Sequence, residues 1–175
     1  MAENSTVQKN LNKHFGTVRE VIRQSEDSNT ARTLTVFESG ALVLLDEDEA
    51  YAVTLPAVTS ADIGIQYTFV ETVASDNDRT INTAYDNDYW IGGVANLPTA
   101  AEAGAKTFVP AGGTDVQITF DDNLANGAGA VGATVTVTAV LTGNIAASGG
   151  AKFVWCVEGV MGTADANGNG TAIFT

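Results

Sequence analysis

From Arg32 onward the chain carries one dominant pattern: apolar and polar residues alternate with a period of two. Tyr51, Val53 and Leu55 alternate with Ala52 and Thr54, and Ile65, Tyr67 and Phe69 with Gln66 and Thr68. Val116, Ile118 and Phe120 alternate with Gln117 and Thr119, and Val135 and Val137 with Thr134, Thr136 and Thr138. Shorter runs stand at Leu34–Val36, Ala41–Leu45, Thr80–Thr83, Tyr89–Ile91, Phe108–Val109, Lys152–Glu158 and Ala172–Phe174. Successive side chains of a strand point to opposite faces, so each run predicts a strand with one buried face. Such strands suit antiparallel sheets, and their β-branched residues fit a pleated, half-buried surface. Turn-rich stretches separate them: "SDNDR" (75–79), "YDNDY" (85–89), "FDDN" (120–123), "NGAGAVG" (126–132) and "ADANGNG" (164–170). About ten short strands with such turns predict a mainly β domain, an antiparallel β-sandwich or jelly roll, over residues 33–175. No fixed-period repeat is visible.

Residues 1–32 read differently. Val7, Leu11, Phe15, Val18 and Ile22 recur at spacings of four, four, three and four, one face of an α-helix. Ser5 with Gln8, and Thr17 with Glu20, have the spacing of capping boxes, and Gly16 weakens the middle. The expectation is an amphipathic helical arm followed by a polar linker at Ser25–Ala31. A lone helix of this length is marginal in water, so its stripe needs something to pack on. It either folds back on its own domain or docks on a partner. In the second case the contact residues are Val7, Lys9, Leu11, Lys13, Phe15, Val18, Arg19, Ile22 and Arg23.

Charge sharpens the contrast. Residues 1–32 hold five basic and four acidic side chains, a balance of +1. The rest holds three basic and seventeen acidic ones, a balance of −14. An acidic body repels phosphate, so neither nucleic acid nor an anionic membrane is an expected partner. No window approaches the roughly 18 apolar residues of a membrane span, and "MAENSTVQKN" has no apolar core of a signal peptide. One cysteine forms no internal disulfide, which points to synthesis in a cytoplasm.

Few residues invite chemistry. His14 is the single histidine and lies far in sequence from Cys156, which sits in the apolar run "KFVWCVEGV" and reads as a buried thiol. No nucleophile elbow, P-loop or dinucleotide fingerprint occurs, and zinc ligands are too few. The acidic groups are the run Asp46–Glu49 and the pairs Asp76/Asp78 and Asp86/Asp88. They read as solvated turns; a structural Ca²⁺ is the alternative, though no EF-hand spacing is present. Tyr85, Tyr89 and Trp90 flank the second pair, which keeps a carboxylate glycosidase or a carbohydrate-binding face in view; the plainer reading makes Trp90 and Trp155 core anchors. No catalytic, cofactor or metal residue is assigned, and no small-molecule substrate is expected.

Three stretches carry a resemblance. "DEDEAYAVTLPA" is followed by "GIQYTFVET" (64–72) and later by "YWIGGVANL" (89–97), and the chain closes on "TADANGNGTAIFT". This order resembles the capsid decoration, or cement, proteins of tailed bacteriophages, well over residues 34–97 and loosely elsewhere. The loops between Ala100 and Asn144 and the leading segment are this chain's own. The resemblance implies a non-enzymatic virion protein on the outer surface of the capsid. It also implies the major capsid protein as partner and self-association, most simply as a homotrimer. A phage tail or fibre subunit, and a carbohydrate-binding β-sandwich, are the competing readings.

Overall fold

A computed structural model describes residues 19–27, 30–75, 77–85, 88–98, 106–111, 115–120, 131–141, 153–163 and 174. Among these the chain is mainly β. The strands are β1 (Val21–Arg23), β2 (Ala31–Thr33), β3 (Leu42–Leu45), β4 (Tyr51–Thr54), β5 (Gln66–Glu71) and β6 (Arg79–Asn82), then β7 (Tyr89–Pro98), β8 (Lys106–Phe108), β9 (Gln117–Phe120), β10 (Thr134–Leu141) and β11 (Phe153–Thr163). Two short 3₁₀ turns, Gln24–Glu26 and Val36–Glu38, are the helical structure described. Thr35 and Glu38 form a reciprocal capping box on the second.

The strands form a seven-stranded sheet, ordered β1-β3-β5-β10-β11-β7-β8, and a four-stranded sheet, ordered β2-β4-β6-β9. Between Val21 and Asn82 the chain changes sheet after every strand. Each strand therefore meets the one two before it, running the same way. β1, β3 and β5 stack in parallel in one sheet, and β2, β4 and β6 in the other. These are three turns of a short parallel coil. Val21 pairs with Leu42 and Leu42 with Thr68, while Ala31 pairs with Ala52 and Ala52 with Thr80. The rungs are unequal, which hides them from a search for a fixed repeat.

The purely antiparallel expectation is thus corrected: both sheets are mixed. β7 also runs parallel to β11, whereas β10 with β5 and β11, β6 with β9, and β7 with β8 are antiparallel. Period-two alternation reports a buried face, and parallel and antiparallel strands share that property. Direction follows from where the chain goes after each strand.

Both sheets feed one apolar core. In the larger sheet Ile22, Val43, Phe69 and Val135 lie side by side in register. In the smaller, Val53, Ile81 and Ile118 do the same. Trp90 and Trp155 are register neighbours at 1% and 0% exposure, and the Tyr67 ring tilts against Trp155 with centroids 6.1 Å apart. Burying each such side chain is worth roughly 1.5–3 kcal/mol, so these rows dominate the stability of the fold. Gly92 and Gly159 are required by close approach: a Cβ would fall 2.1 Å from Val157 O at the first and 2.4 Å from Thr134 O at the second.

The helical stripe drawn through Ile22 also needs correction. Val21–Arg23 is a strand, and Ile22 is 5% exposed in the body's own core. Val21 and Ile22 are β-branched, and a lateral partner, β3, satisfies the backbone while burying Ile22. That packing outweighs a helical period extrapolated from residues upstream.

Candidate contact surface at the root of the N-terminal segment

β1 forms one edge of the seven-stranded sheet, and the residues around it carry most of the basic charge described. The Arg19 side chain lies across this edge. Its Nε donates to Gly40 O at 3.1 Å and its guanidinium NH2 to Thr68 Oγ1 at 2.8 Å. Gly40 has no side chain to obstruct that course. Arg23 pairs with Asp46 at 2.8 Å, and Ser25 donates both its backbone N–H and its hydroxyl to the same carboxylate, each at 2.9 Å. Burial works to raise the Asp46 pKa, but the Ser25 donors and the Arg23 guanidinium together hold it below the usual carboxylate range. Asp46, the first residue of the acidic run, therefore ties the N-terminal segment to the β3–β4 turn.

A second network lies beside it. Arg32 pairs with Asp27 at 2.8 Å and Glu38 at 2.7 Å, and Tyr51 donates its hydroxyl to the other Asp27 oxygen. Burial raises the Tyr51 phenol, and Asp27 raises it further. For Glu38, burial opposes ionisation, but Arg32 and Thr35 outweigh it and hold the carboxyl low. Gln24 donates to Glu49 O at 3.0 Å. A cleft of ≈ 70 Å³ opens here, lined by Gln24, Asp27, Glu47, Glu49 and Tyr51 among others. Both Asp27 oxygens are already engaged, so the cleft reads as the seam between the first two rungs.

Three of the nine residues expected to contact a partner thus serve the body itself: Arg19 and Arg23 as clamps, and Ile22 as core. Val7, Lys9, Leu11, Lys13, Phe15 and Val18 lie outside the described residues, as does His14.

The acidic pairs divide in the same way. Asp76 and Asp86 lie outside the described residues. Asp88 is 7% exposed, and burial pushes its carboxyl upward against a hydrogen bond from Tyr85. Among the described residues no three His, Cys, Asp or Glu side chains converge on a metal-sized site. Trp90 and Tyr89 are buried, leaving Tyr85, at 57%, as the exposed ring of that trio. A planar aromatic platform for sugar is therefore not presented there. Cys156 is half-buried on the side of the larger sheet away from the core, level with Thr138 and Ile91. Burial, and then Glu158, push its thiol up, the opposite of an activated nucleophile.

Sequence reasoning missed one buried charged pair. Glu71, at the end of β5, meets Arg79, at the start of β6, at 2.8 Å across the two sheets. Arg79 also donates to Val73 O from both terminal nitrogens, at 3.1 Å. The pair closes the β5–β6 connection. Its sequence signal was faint: Glu71 lies just past the predicted run at Ile65–Phe69, and Arg79 falls in the turn-rich stretch "SDNDR" rather than in a predicted strand.

No described helix is long and apolar enough to cross a membrane. No family model, curated protein or solved structure matches the chain.

Proposed function

We propose that this chain is a virion structural protein that binds the outer surface of a bacteriophage head and stabilises it. One observation carries the reading: the motif order "DEDEAYAVTLPA", "GIQYTFVET", "YWIGGVANL". In the fold the first two supply β4 and β5, consecutive strands in opposite sheets that share a core. Asp46, within the acid run, is a clamp residue. The motifs thus coincide with scaffold, as expected of a protein whose task is to present a surface. The partner in this proposal is the major capsid protein, and the protein works as a homotrimer, since a closed ring matches a symmetric docking site. It is made in the host cytoplasm, has no catalytic role and binds neither nucleic acid nor membrane; the acidic body supports the last two points.

We read the two layers as a β-sandwich. A jelly-roll-like arrangement suits the antiparallel part around β5, β10, β11, β6 and β9, and an N-terminal helical arm over residues 1–18 completes the proposal. A tail or fibre subunit is the alternative. Burial of Trp90 and Tyr89 weighs against the carbohydrate-binding reading.

The test is co-sedimentation with purified capsid shells. Saturable binding at a fixed ratio to the major capsid protein is expected. Absence of binding to shells, together with recovery on purified tails, would replace this reading with the tail alternative.

A further inference from the structure

Glu71 ends β5 and Arg79 begins β6, so the chain crosses from the larger sheet to the smaller between them. The first stretch of that crossing, Thr72–Ser75, carries little core: Thr72, Val73 and Ala74 are exposed, and Ser75 is buried. Few bonds hold it. Thr72 donates its N–H and its hydroxyl to Leu45 O, at 3.0 and 3.2 Å, and Val73 O accepts from both terminal nitrogens of Arg79 at 3.1 Å. The NH1 nitrogen of Arg79 is oversubscribed. It has two hydrogens but faces three oxygens: Glu71 Oε1 at 2.8 Å, Val73 O at 3.1 Å and Leu45 O at 3.5 Å. Glu71 Oε2 and Arg79 Nε, meanwhile, are buried with no hydrogen-bond partner. Water would satisfy both, and it reaches them only when some of their cover moves.

We propose that Thr72–Ser75 is a strap that opens locally, with both sheets intact, to admit water to the Glu71–Arg79 pair, and that ionisation of Glu71 favours the open position. A stretch with so little buried apolar surface opens at small cost, at the low end of the range of local stabilities. Opening hydrates the two vacant atoms. An ionised carboxylate is also a stronger acceptor than a neutral carboxyl, so it draws NH1 away from Val73 O and loosens the strap. Burial acts in the same direction: it raises the Glu71 carboxyl to about 7 although Arg79 pulls it down, and hydration in the open position returns it towards its usual value near 4.5. The open position therefore gains weight as pH rises between those two values. Few charged groups surround the pair among the described residues. Arg79 faces Glu71 from β6, and Asp48 and Asp46 act on Arg79 from the β3–β4 turn. On the β10 side Ala133 O and the Gly132 N–H bond the Glu71 backbone and bring no charge. Opening of the strap is independent of what the outer surface of the protein binds.

The Thr72 amide, bonded to Leu45 O, is the native reporter. Its hydrogen exchange is measured in the full chain at pH 5 and pH 7.5, corrected for the intrinsic pH dependence of exchange, with and without urea below the unfolding transition. Amides of β10 serve as the reference for global unfolding. The expected result is that Thr72 protection falls at least about tenfold from pH 5 to pH 7.5. At both pH values Thr72 should exchange faster than β10 and respond little to urea, whereas β10 amides respond strongly. Glu71→Gln should keep the urea-insensitive opening and flatten its pH response. Thr72 exchange with the urea response of β10 would overturn the proposal, because the stretch would then open only when the whole domain unfolds. Corrected protection that is the same at both pH values would also overturn it, as would a Glu71→Gln protein with the wild-type pH response. The wild-type measurements decide the matter by themselves if the variant fails to fold.

Discussion

Glu71 and Arg79 face each other across the gap between the two sheets, 2.8 Å apart, with 2% and 1% of their side chains exposed. Glu71 Oε2 and Arg79 Nε are buried without hydrogen-bond partners, so the pair is incompletely satisfied. Burial pushes the Glu71 carboxyl up to about 7 even though Arg79 pulls it down. Burial also lowers Arg79, against the attraction of Glu71. One guanidinium contact does not offset the desolvation of a carboxylate with a vacant oxygen.

A pH dependence follows from that raised value. Glu71 binds its proton more tightly folded than unfolded. Its contribution to stability is therefore full below the unfolded value near 4.5 and is lost as pH rises towards 7. Urea unfolding between pH 5 and 7.5 should show stability falling with pH, and Glu71→Gln should flatten that slope. A wild-type slope of opposite sign over this window would refute the assignment.

Arg79→Met should cost about 3–5 kcal/mol at pH 8, where it leaves a carboxylate buried and unpaired. The cost should shrink at pH 5.5, where Glu71 takes up a proton. The double variant Glu71→Leu/Arg79→Met should recover most of the loss. Chemical denaturation of the four proteins at both pH values makes the comparison.

Asp46 has the opposite sign. Its folded pKa lies below the unfolded value near 3.8, so its stabilisation is present above that value and lost as pH falls through the folded one. Asp46→Ala should remove about 1–2 kcal/mol, discounted for the half-exposed Arg23. Amide exchange should show residues 19–26 losing protection first, both in the variant and in wild type as pH falls below the usual carboxylate range. Uniform loss across both sheets would mean that Asp46 is not the local tie.

Gly92 and Gly132 make a controlled pair, because both have positive φ, 98° and 94°. A Cβ at Gly132 meets nothing within 4 Å, whereas one at Gly92 strikes Val157 O. Gly132→Ala should cost about 1–2 kcal/mol from backbone conformation alone. Gly92→Ala should cost at least about 1–3 kcal/mol more, because β7 must move off β11. Equal Tm values for the two variants would contradict the close β7–β11 approach.

Trp90→Ala should lower stability by about 3–5 kcal/mol, as removal of a core indole does. Tyr85→Ala, at an exposed ring, should leave stability nearly unchanged. Glycan-array binding lost with Trp90→Ala while Tm stayed constant would restore the carbohydrate-binding reading.

The alternation at Tyr51–Leu55, Ile65–Phe69 and Thr134–Thr138 determined by itself that this would be a β protein, and which side chains would be buried. That information is local, because a strand's two faces are set by successive residues. The three-turn parallel coil was not legible. Its rung spacing is unequal, and whether β3 meets β5 as a parallel neighbour depends on the path of the chain through the opposite sheet. Only tertiary structure took Ile22 out of the helical stripe, because β3 offers it a buried neighbour and a backbone partner that its own sequence cannot show. The same holds for Asp46, which in sequence is one acid among four. Its role exists only because the fold brings Arg23 and Ser25, more than twenty residues away, to its two oxygens.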